Sequence, residues 1–264
     1  MPAPVCKMQV TRDKCPLCNC PVRIVRRENG AADHYEALEK GELDDVPNPI
    51  PPRLDDYLKA KRRGKRTVAL VGSAFTSGPW APFGEPGVDV WSLNETHIAP
   101  WLKVEGVTGW FQLHPKWVFA KDHPSKHRDW LSRDWPFHIW MQREFDGVPR
   151  SVTYPLREVE NQIGVVRGEQ RVEKVFSSTF SYMVALALLE KTYERIELYG
   201  IELVLDGEYA YQREAMAFWV GKADGAGVEV WMPEDCHLLE MPLYAYEELR
   251  KGDGSILMPP ENAE

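Results

Sequence analysis

The sequence predicts an α/β fold built on a doubly wound, mostly parallel sheet, and three observations lead to this prediction. Short apolar segments recur along the chain, and most of them end in glycine or a polar residue, as buried parallel strands do. Helical patterns separate the later segments, which favours parallel strands joined by crossover helices. The first segment, 67–71, runs directly into Gly72-Ser73, a glycine turn typical of the first strand of a Rossmann-like sheet.

The predicted strands of the sheet and the helices between them lie between residues 67 and 232. Apolar runs predict strands at residues 67–71, 88–93, 107–113, 137–141, 195–199 and 228–232. Helices are predicted at 178–192 and 208–223, with shorter helical turns around 126–133. These elements define a Rossmann-like nucleotide-binding domain at 67–251, followed by a loose tail at 252–264.

The region before this domain is polar. Residues 31–66 are expected to form a connector with one short helix near 35–40, because its prolines exclude a long helix or a central strand. With 44% hydrophobic and 27% charged residues the composition is that of a soluble globular protein. No apolar run approaches the roughly 20 residues that span a bilayer, and the first residues lack the apolar core of a signal peptide. We therefore expect a cytoplasmic protein without a membrane partner.

A cysteine-rich segment at residues 1–30 forms the amino-terminal part. Its cysteines are Cys6, Cys15, Cys18 and Cys20. Two residues separate Cys15 from Cys18, a spacing at which both thiolates reach one tetrahedral zinc ion, and Cys6 and Cys20 would complete a structural site. The alternative is a set of free thiols. A four-cysteine site has no open coordination position, so the zinc would be structural and not catalytic.

The charge of the chain disfavours an extended nucleic-acid surface. The net charge is −8, whereas phosphate contacts dominate nucleic-acid affinity. One basic segment, from Lys59 to Arg66, could track a phosphate backbone. The favoured interpretation is a solvated segment before the first strand.

Polar residues follow the first two predicted strands. Gly72 and Ser73 follow the first strand, and Asn94 and Glu95 follow the second. Ligands of parallel sheets bind outside the carboxyl ends of the strands, and an amide or carboxylate at the second strand end can pair with sugar hydroxyls. The turn departs from the dinucleotide fingerprint and from the P-loop, so it predicts a ligand site without naming the reaction.

A histidine ends the third predicted strand. His114 would lie on the same sheet edge, and histidine is the commonest general base. A purely structural role is the alternative.

The carboxyl half adds candidate phosphate contacts. Ser177, Ser178 and Thr179 precede or begin the long apolar helix, where a serine would cap it and free amides would suit a phosphate. Glu202 follows the next strand. Three side chains of the following helix are hydrogen-bond donors suited to phosphate, and they are Tyr209, Tyr211 and Arg213.

Taken together, these motifs resemble the sialyltransferase-like Rossmann group, which includes bacterial sialyltransferases and 6-hydroxymethylpterin diphosphokinase-like proteins. The pattern is strand-Gly-Ser, strand-Asn, Ser-Ser-Thr before an Ala- and Leu-rich helix, then Ile-x-Leu-x-Gly-Ile-Glu and a downstream Tyr, over residues 67–233. It is also similar to uncharacterised bacteriophage proteins. The resemblance implies that Gly72, Ser73, Asn94, Ser177 and Ser178 hold a nucleotide and that Tyr209 and Tyr211 hold its phosphate. Two departures are that the group's aspartate is Glu202 here and that His114 is not matched by position.

Three functions are consistent with these features. The first is a nucleotide-dependent transferase, specifically a glycosyltransferase that uses a nucleotide-activated sugar, with His114 as base and Tyr209 and Arg213 stabilising the departing phosphate. The second is pyrophosphoryl transfer to a small hydroxymethyl heterocycle, which needs Mg²⁺ on acids such as Glu202, Asp206 or Glu208. The third is a zinc-stapled protein that senses a nucleotide or another protein without chemistry. The donor base, the sugar and the acceptor stay open.

Overall fold

The structure is a computed structural model that describes residues 9–14, 21–26, 34–37, 50–119, 126–163, 165–167, 170–172, 175–203, 208–234 and 236–239. The predicted zinc ligands Cys6, Cys15, Cys18 and Cys20 lie outside these residues, as does the predicted tail at 252–264. Near the amino terminus three antiparallel strands pair in the order β1 (Gln9–Lys14), β2 (Pro21–Arg26) and β3 (His34–Ala37). The helix predicted near 35–40 is wrong, because β3 pairs with β2 from Val25↔His34 to Val22↔Ala37.

The central sheet confirms the predicted fold class. Among the described residues it has seven strands, all parallel, in the order β12-β11-β4-β5-β6-β7-β8. The strands are β4 (Thr67–Val71), β5 (Val88–Leu93), β6 (Gly109–Gln112), β7 (His138–Met141), β8 (Ser151–Thr153), β11 (Arg195–Tyr199) and β12 (Glu229–Trp231). A separate hairpin pairs β9 (Val165–Arg167) with β10 (Gln170–Val172). All six predicted strands are present. β8 was not predicted, because a short, half-exposed edge strand leaves no apolar run in the sequence.

Helices cover both faces of the sheet. They are α1 (Pro52–Arg62), α2 (Lys116–Phe119), α3 (His127–Leu131), α4 (Leu156–Ile163), α5 (Thr179–Glu190) and α6 (Glu208–Gly225). Side chains alternate along a strand, so Val68 and Leu70 of β4 join the core under α4, α5 and α6, whereas Ala69 and Val71 face the other side. On that other face, an aromatic cluster around Trp110 and α3 fills the core beside β6 and β7. None of the described helices is both long and apolar enough to cross a membrane.

The segment predicted as an extended connector contains helix α1. The helix begins at Pro52, where the missing N–H of proline costs nothing because the first amides of a helix have no intrahelical acceptor. Leu58 is completely buried, and the guanidinium of Arg62 reaches the sheet. The prolines of this stretch therefore mark the start of a helix that packs on the sheet.

A buried ionic network joins α1 to the middle of the sheet. Arg195, Glu197 and Tyr199 alternate along β11 and therefore share one face. Glu197 accepts hydrogen bonds from Arg62 Nη2 at 2.7 Å, from Arg195 Nε at 2.7 Å and from Tyr199 OH at 2.7 Å. Burial alone would lower the pKa of Arg62, but its hydrogen bond to Glu197 and the neighbouring negative charges raise that pKa above its ordinary value. Burial, followed by the charge of Glu197, raises the pKa of Tyr199 well above its ordinary value.

Ion pairs also engage most of the basic segment from Lys59 to Arg66. Lys59 pairs with Asp55, Lys65 with Glu229 and Arg66 with Asp89, each at 2.6 Å, and Arg62 pairs with both Glu197 and Glu85. The prediction of a solvated segment is wrong for Arg62, which is 6% exposed. Its carboxylate partners come from distant parts of the chain, which the local run of basic residues does not reveal.

Candidate functional site

The sheet reverses its winding direction between β4 and β11. From β4 the chain adds β5, β6, β7 and β8 on one side, and it then returns to place β11 and β12 on the other. In open parallel sheets such a switch point opens a crevice at the carboxyl ends of the two strands, and ligands bind there. Gly72 follows β4 and Gly200 follows β11, so these two glycines lie at the base of the crevice.

The two glycines touch each other. Gly72 N donates to Tyr199 O at 2.8 Å. A Cβ atom on Gly72 would overlap Gly200 O and lie 2.8 Å from Cζ of Phe180, and Gly200 has a φ of +61°. Packing between the strand ends therefore requires glycine at both positions, whatever ligand binds above them.

The loop after β4 is fastened to the loop after β11. Ala74 N donates to Gly200 O at 3.2 Å, and Ser77 Oγ accepts from Gly200 N at 2.8 Å. Thr76 Oγ1 donates to the carboxylate of Glu202. Ser73 is exposed at the start of the loop. Of the residues predicted here, Ser73 faces solvent, whereas Glu202 already holds the loop.

Asn94 has an unusual backbone at the carboxyl end of β5. Its φ is +48°, a left-handed conformation that asparagine tolerates better than most residues. Its backbone N–H donates to Phe111 O at 2.9 Å, which ties it to β6. Its side-chain Oδ1 is buried and has no hydrogen-bond partner among the described residues. Glu95, the next residue, is exposed.

His114 is exposed just beyond the end of β6. Its Nδ1 lies 3.3 Å from Nε2 of Gln112, and Oε1 of Gln112 lies 2.8 Å from Nε2 of His127. His127 is 5% exposed and stacks on the ring of His97 with centroids 4.9 Å apart. The exposed histidine therefore connects through one amide to a buried histidine.

The sequence pattern singles out His114 and does not single out Gln112, His97 or His127 for the site. A signal for Gln112 exists, because strand alternation puts it on the same face as Trp110, where a polar residue needs a partner. No local pattern identifies His127 as that partner, because it lies in another element.

The two serines before α5 have different surroundings. Ser178 is the N-cap of α5, and its Oγ accepts from Ser181 N at 3.2 Å and lies 2.9 Å from Ser181 Oγ. Ser177 is exposed and Thr179 is half-buried. The predicted cap is confirmed for Ser178, whose oxygen is thereby occupied.

For the two tyrosines predicted as phosphate contacts on α6, the structure describes the position of the backbone. Tyr209 and Tyr211 lie in the first turn of α6, which follows β11, and their side chains are outside the described part of the structure. Arg213 Nε donates to Leu238 O at 3.0 Å, so one edge of its guanidinium holds the short helix His237–Leu239. Asp206 and the side chain of Glu208 are also outside the described part.

Within the described residues, no group of three or more His, Cys, Asp and Glu side chains is arranged to hold a metal ion. Glu202, the one predicted Mg²⁺ ligand whose side chain is described, accepts a hydrogen bond from Thr76.

Comparisons with known proteins give one structural similarity. No protein-family model matches the sequence, and no curated protein matches it. Among solved structures, the chain is similar to the sialyltransferase CstII from Campylobacter jejuni in complex with a substrate analogue, cytidine-5'-monophosphate. The match covers 73% of this chain and 86% of that chain, with 14% sequence identity and a TM-score of 0.38. The parallel strands and their order, and not this similarity, establish the fold.

Proposed function

We propose that this protein is a nucleotide-dependent transferase whose donor is a nucleotide-activated sugar, bound at the carboxyl edge of β4, β5, β6 and β11. The observation that carries the proposal is Asn94, whose buried Oδ1 has no hydrogen-bond partner among the described residues at the edge where parallel sheets bind ligands. A buried acceptor without a partner costs about 1–3 kcal/mol. A hydroxyl or amino group of a nucleotide would satisfy it.

His114 supplies the chemistry in this proposal. It is exposed at the end of β6, the strand next to β5, so a donor held at Asn94 would lie near its imidazole. As a general base, His114 would take the proton of an acceptor hydroxyl while that oxygen attacks the anomeric carbon. The bond from that carbon to the phosphate oxygen breaks, and its electron pair leaves with the phosphate. The sequence resemblance described above supports sugar transfer over other nucleotide chemistry.

The first experiment is thermal unfolding with CMP, UDP, GDP, ADP, NAD and their sugar conjugates, each with and without Mg²⁺. A ligand at a hundred times its dissociation constant adds about 2.7 kcal/mol of stability, which raises Tm by about 5–11 °C for a chain of this size. A response to one nucleotide identifies the donor base. A response that needs both a triphosphate and Mg²⁺ replaces sugar transfer with pyrophosphoryl transfer, and no response to any ligand contradicts the proposal.

The variant Asn94→Gly separates ligand binding from backbone conformation. Glycine adopts a positive φ without strain, so Asn94→Gly preserves the fold but removes the amide. We expect this variant to keep its Tm without ligand and to lose the nucleotide-induced increase. A normal increase in Asn94→Gly would mean that Asn94 serves only the turn.

The matched control for His114 is His138. His138 is also exposed, but it begins β7 and so lies at the opposite edge of the sheet. With the donor identified, His114→Ala is expected to reduce turnover about 10²–10⁴-fold, whereas His138→Ala leaves turnover unchanged. Nucleotide binding without release of the sugar by the wild type would favour a nucleotide-sensing protein.

A further inference from the structure

The side-chain amide of Gln112 lies between two histidines. Gln112 is 1% exposed, and both ends of its amide have a partner. Its Oε1 is 2.8 Å from His127 Nε2, and its Nε2 is 3.3 Å from His114 Nδ1. Because the amide is buried and held at both ends, its orientation determines which imidazole nitrogens carry protons.

The contact with His127 determines how the amide is oriented. An amide oxygen only accepts hydrogen bonds, so His127 must carry a proton on Nε2. The separation of 2.8 Å suits an N–H···O bond, whereas 3.3 Å is longer than the usual range of that bond. The two separations therefore favour the oxygen towards His127 and the amino group towards His114.

The contact with His114 then follows. The amide NH₂ group only donates, so His114 Nδ1 must offer a lone pair, and a neutral His114 carries its proton on Nε2. The opposite tautomer requires the amide to rotate by half a turn. That rotation would direct the NH₂ group at the N–H of His127, so His127 would also have to move its proton to Nδ1.

We propose that Gln112, oriented by His127, is a positioning residue that fixes the tautomer of His114. The consequence for catalysis rests on the proposed function. Resting neutral His114 presents an N–H at Nε2 and can donate a hydrogen bond to a phosphate oxygen of the donor. It becomes a base at Nε2 only when the proton moves to Nδ1 and the Gln112 amide turns over. Gln112 and His127 thus control which of the two roles His114 performs.

The test observes the tautomer directly and needs no substrate. Long-range proton–nitrogen NMR spectra of the ¹⁵N-histidine-labelled full-length protein, at about pH 8.5 where an ordinary imidazole is neutral, identify the protonated nitrogen of each ring. We expect the proton of His114 on Nε2 in the wild type. This is also the major tautomer of histidine in water, so the decisive result comes from Gln112→Glu. A carboxylate accepts from Nδ1–H, and the proton of His114 should therefore move to Nδ1 in that variant.

Two further measurements test whether a change at His114 comes from Gln112 itself. The signals of His138, on the opposite edge, should not change in any variant. If the buried carboxylate of Gln112→Glu prevents folding, Gln112→Met replaces it, and the nitrogen shifts of His114 should then move towards the mixture of tautomers found in water. An unchanged His114 in a folded Gln112→Glu or Gln112→Met variant would overturn the role of Gln112. Because no nucleotide is present, that failure would be distinct from a failure of the proposed transferase function.

Discussion

Replacing Glu197 with glutamine should strongly destabilise the protein, because it removes the negative charge between two buried arginines. Glu197 and Arg195 are fully buried, and Arg62 is 6% exposed. The neutral amide of Glu197→Gln keeps one acceptor oxygen and presents an NH₂ group to side chains that donate. Each lost hydrogen bond to a charged group costs about 1.5–3 kcal/mol, and breaking a buried ion pair costs about 3–5 kcal/mol.

Other ion pairs of the two arginines reduce this loss of stability. Arg62 keeps its contact with Glu85 at 2.6 Å, and Arg195 keeps its contact with Glu229 at 2.6 Å. We therefore expect the lower end of the range, about 3 kcal/mol, which corresponds to a decrease in Tm of about 6–12 °C.

The assay is urea unfolding at pH 7, followed by circular dichroism, with m compared between variants. Asp55→Asn is the control, since it removes the same charge from the surface pair with Lys59 and should leave the midpoint unchanged. The double variant Arg62→Met/Glu197→Gln should lose less stability than the sum of the single variants, because the two residues share contacts. A loss below about 1 kcal/mol for Glu197→Gln would refute the reasoning, since the charge would then behave as if it were exposed to water.

Three further predictions concern other contacts. Gly72→Ala should cost at least about 1–3 kcal/mol, because the new methyl group overlaps Gly200 O, whereas Gly221→Ala, which meets no neighbouring atom and lies in α6, should be neutral or stabilising in the same urea assay. Ser178→Ala should cost about 0.5–2 kcal/mol in the same urea assay, because the N-cap of α5 is lost. The hydrogen bond from Lys65, followed by the charge of Arg195, lowers the pKa of Glu229 despite its partial burial. Its contribution to stability is therefore present above the unfolded-state pKa near 4.3 and is lost as the pH falls through the folded-state pKa, so Glu229→Gln should destabilise at pH 7 and have little effect near pH 3.

Much of the sheet could be predicted from sequence because its strands are short apolar runs. The predicted segment 67–71 and strand β4 coincide, as do 88–93 and β5, since both strands are buried and continuous apolar runs are typical of such strands. The predicted edge of the sheet follows from the same pattern, because parallel strands place all their carboxyl ends together. This is why Gly72 and Asn94, far apart in sequence, could be expected at one edge.

What could not be predicted depends on contacts between distant residues. Arg62 appears in the sequence as one of several surface cations, but its partner Glu197 is 135 positions away. The sequence predicts only a strand at Glu197 and Tyr199, and it does not show that these side chains bond to each other and to Arg62 and Arg195. The sequence predicts a short helix near 35–40, whereas pairing with β2 makes Tyr35 part of a strand. The partner of Gln112 was hidden for the same reason, since His127 lies in α3.

The buried polar groups on one face of the sheet differ in a way that bears on where a ligand binds. Tyr199 pairs in register with Val71, Val71 with Ser92, and Ser92 with Trp110, so these side chains lie on one face of the sheet. Glu197 is two residues from Tyr199 and Gln112 is two residues from Trp110, so the network of Glu197 and the amide of Gln112 lie on this same face. Around Glu197, opposite charges compensate one another at hydrogen-bond distance. Nη2 of Arg195 has no hydrogen-bond partner among the described residues, but Arg195 begins β11 and so lies at the amino edge of the sheet, away from the carboxyl ends. Gln112 is neutral, and its amide can take two orientations that differ in where His114 and His127 carry their protons. Oδ1 of Asn94 has no hydrogen-bond partner among the described residues. A ligand gains most where it supplies a missing partner or selects one of two arrangements. The carboxyl ends of β5 and β6 meet both conditions, and we expect the nucleotide to bind there.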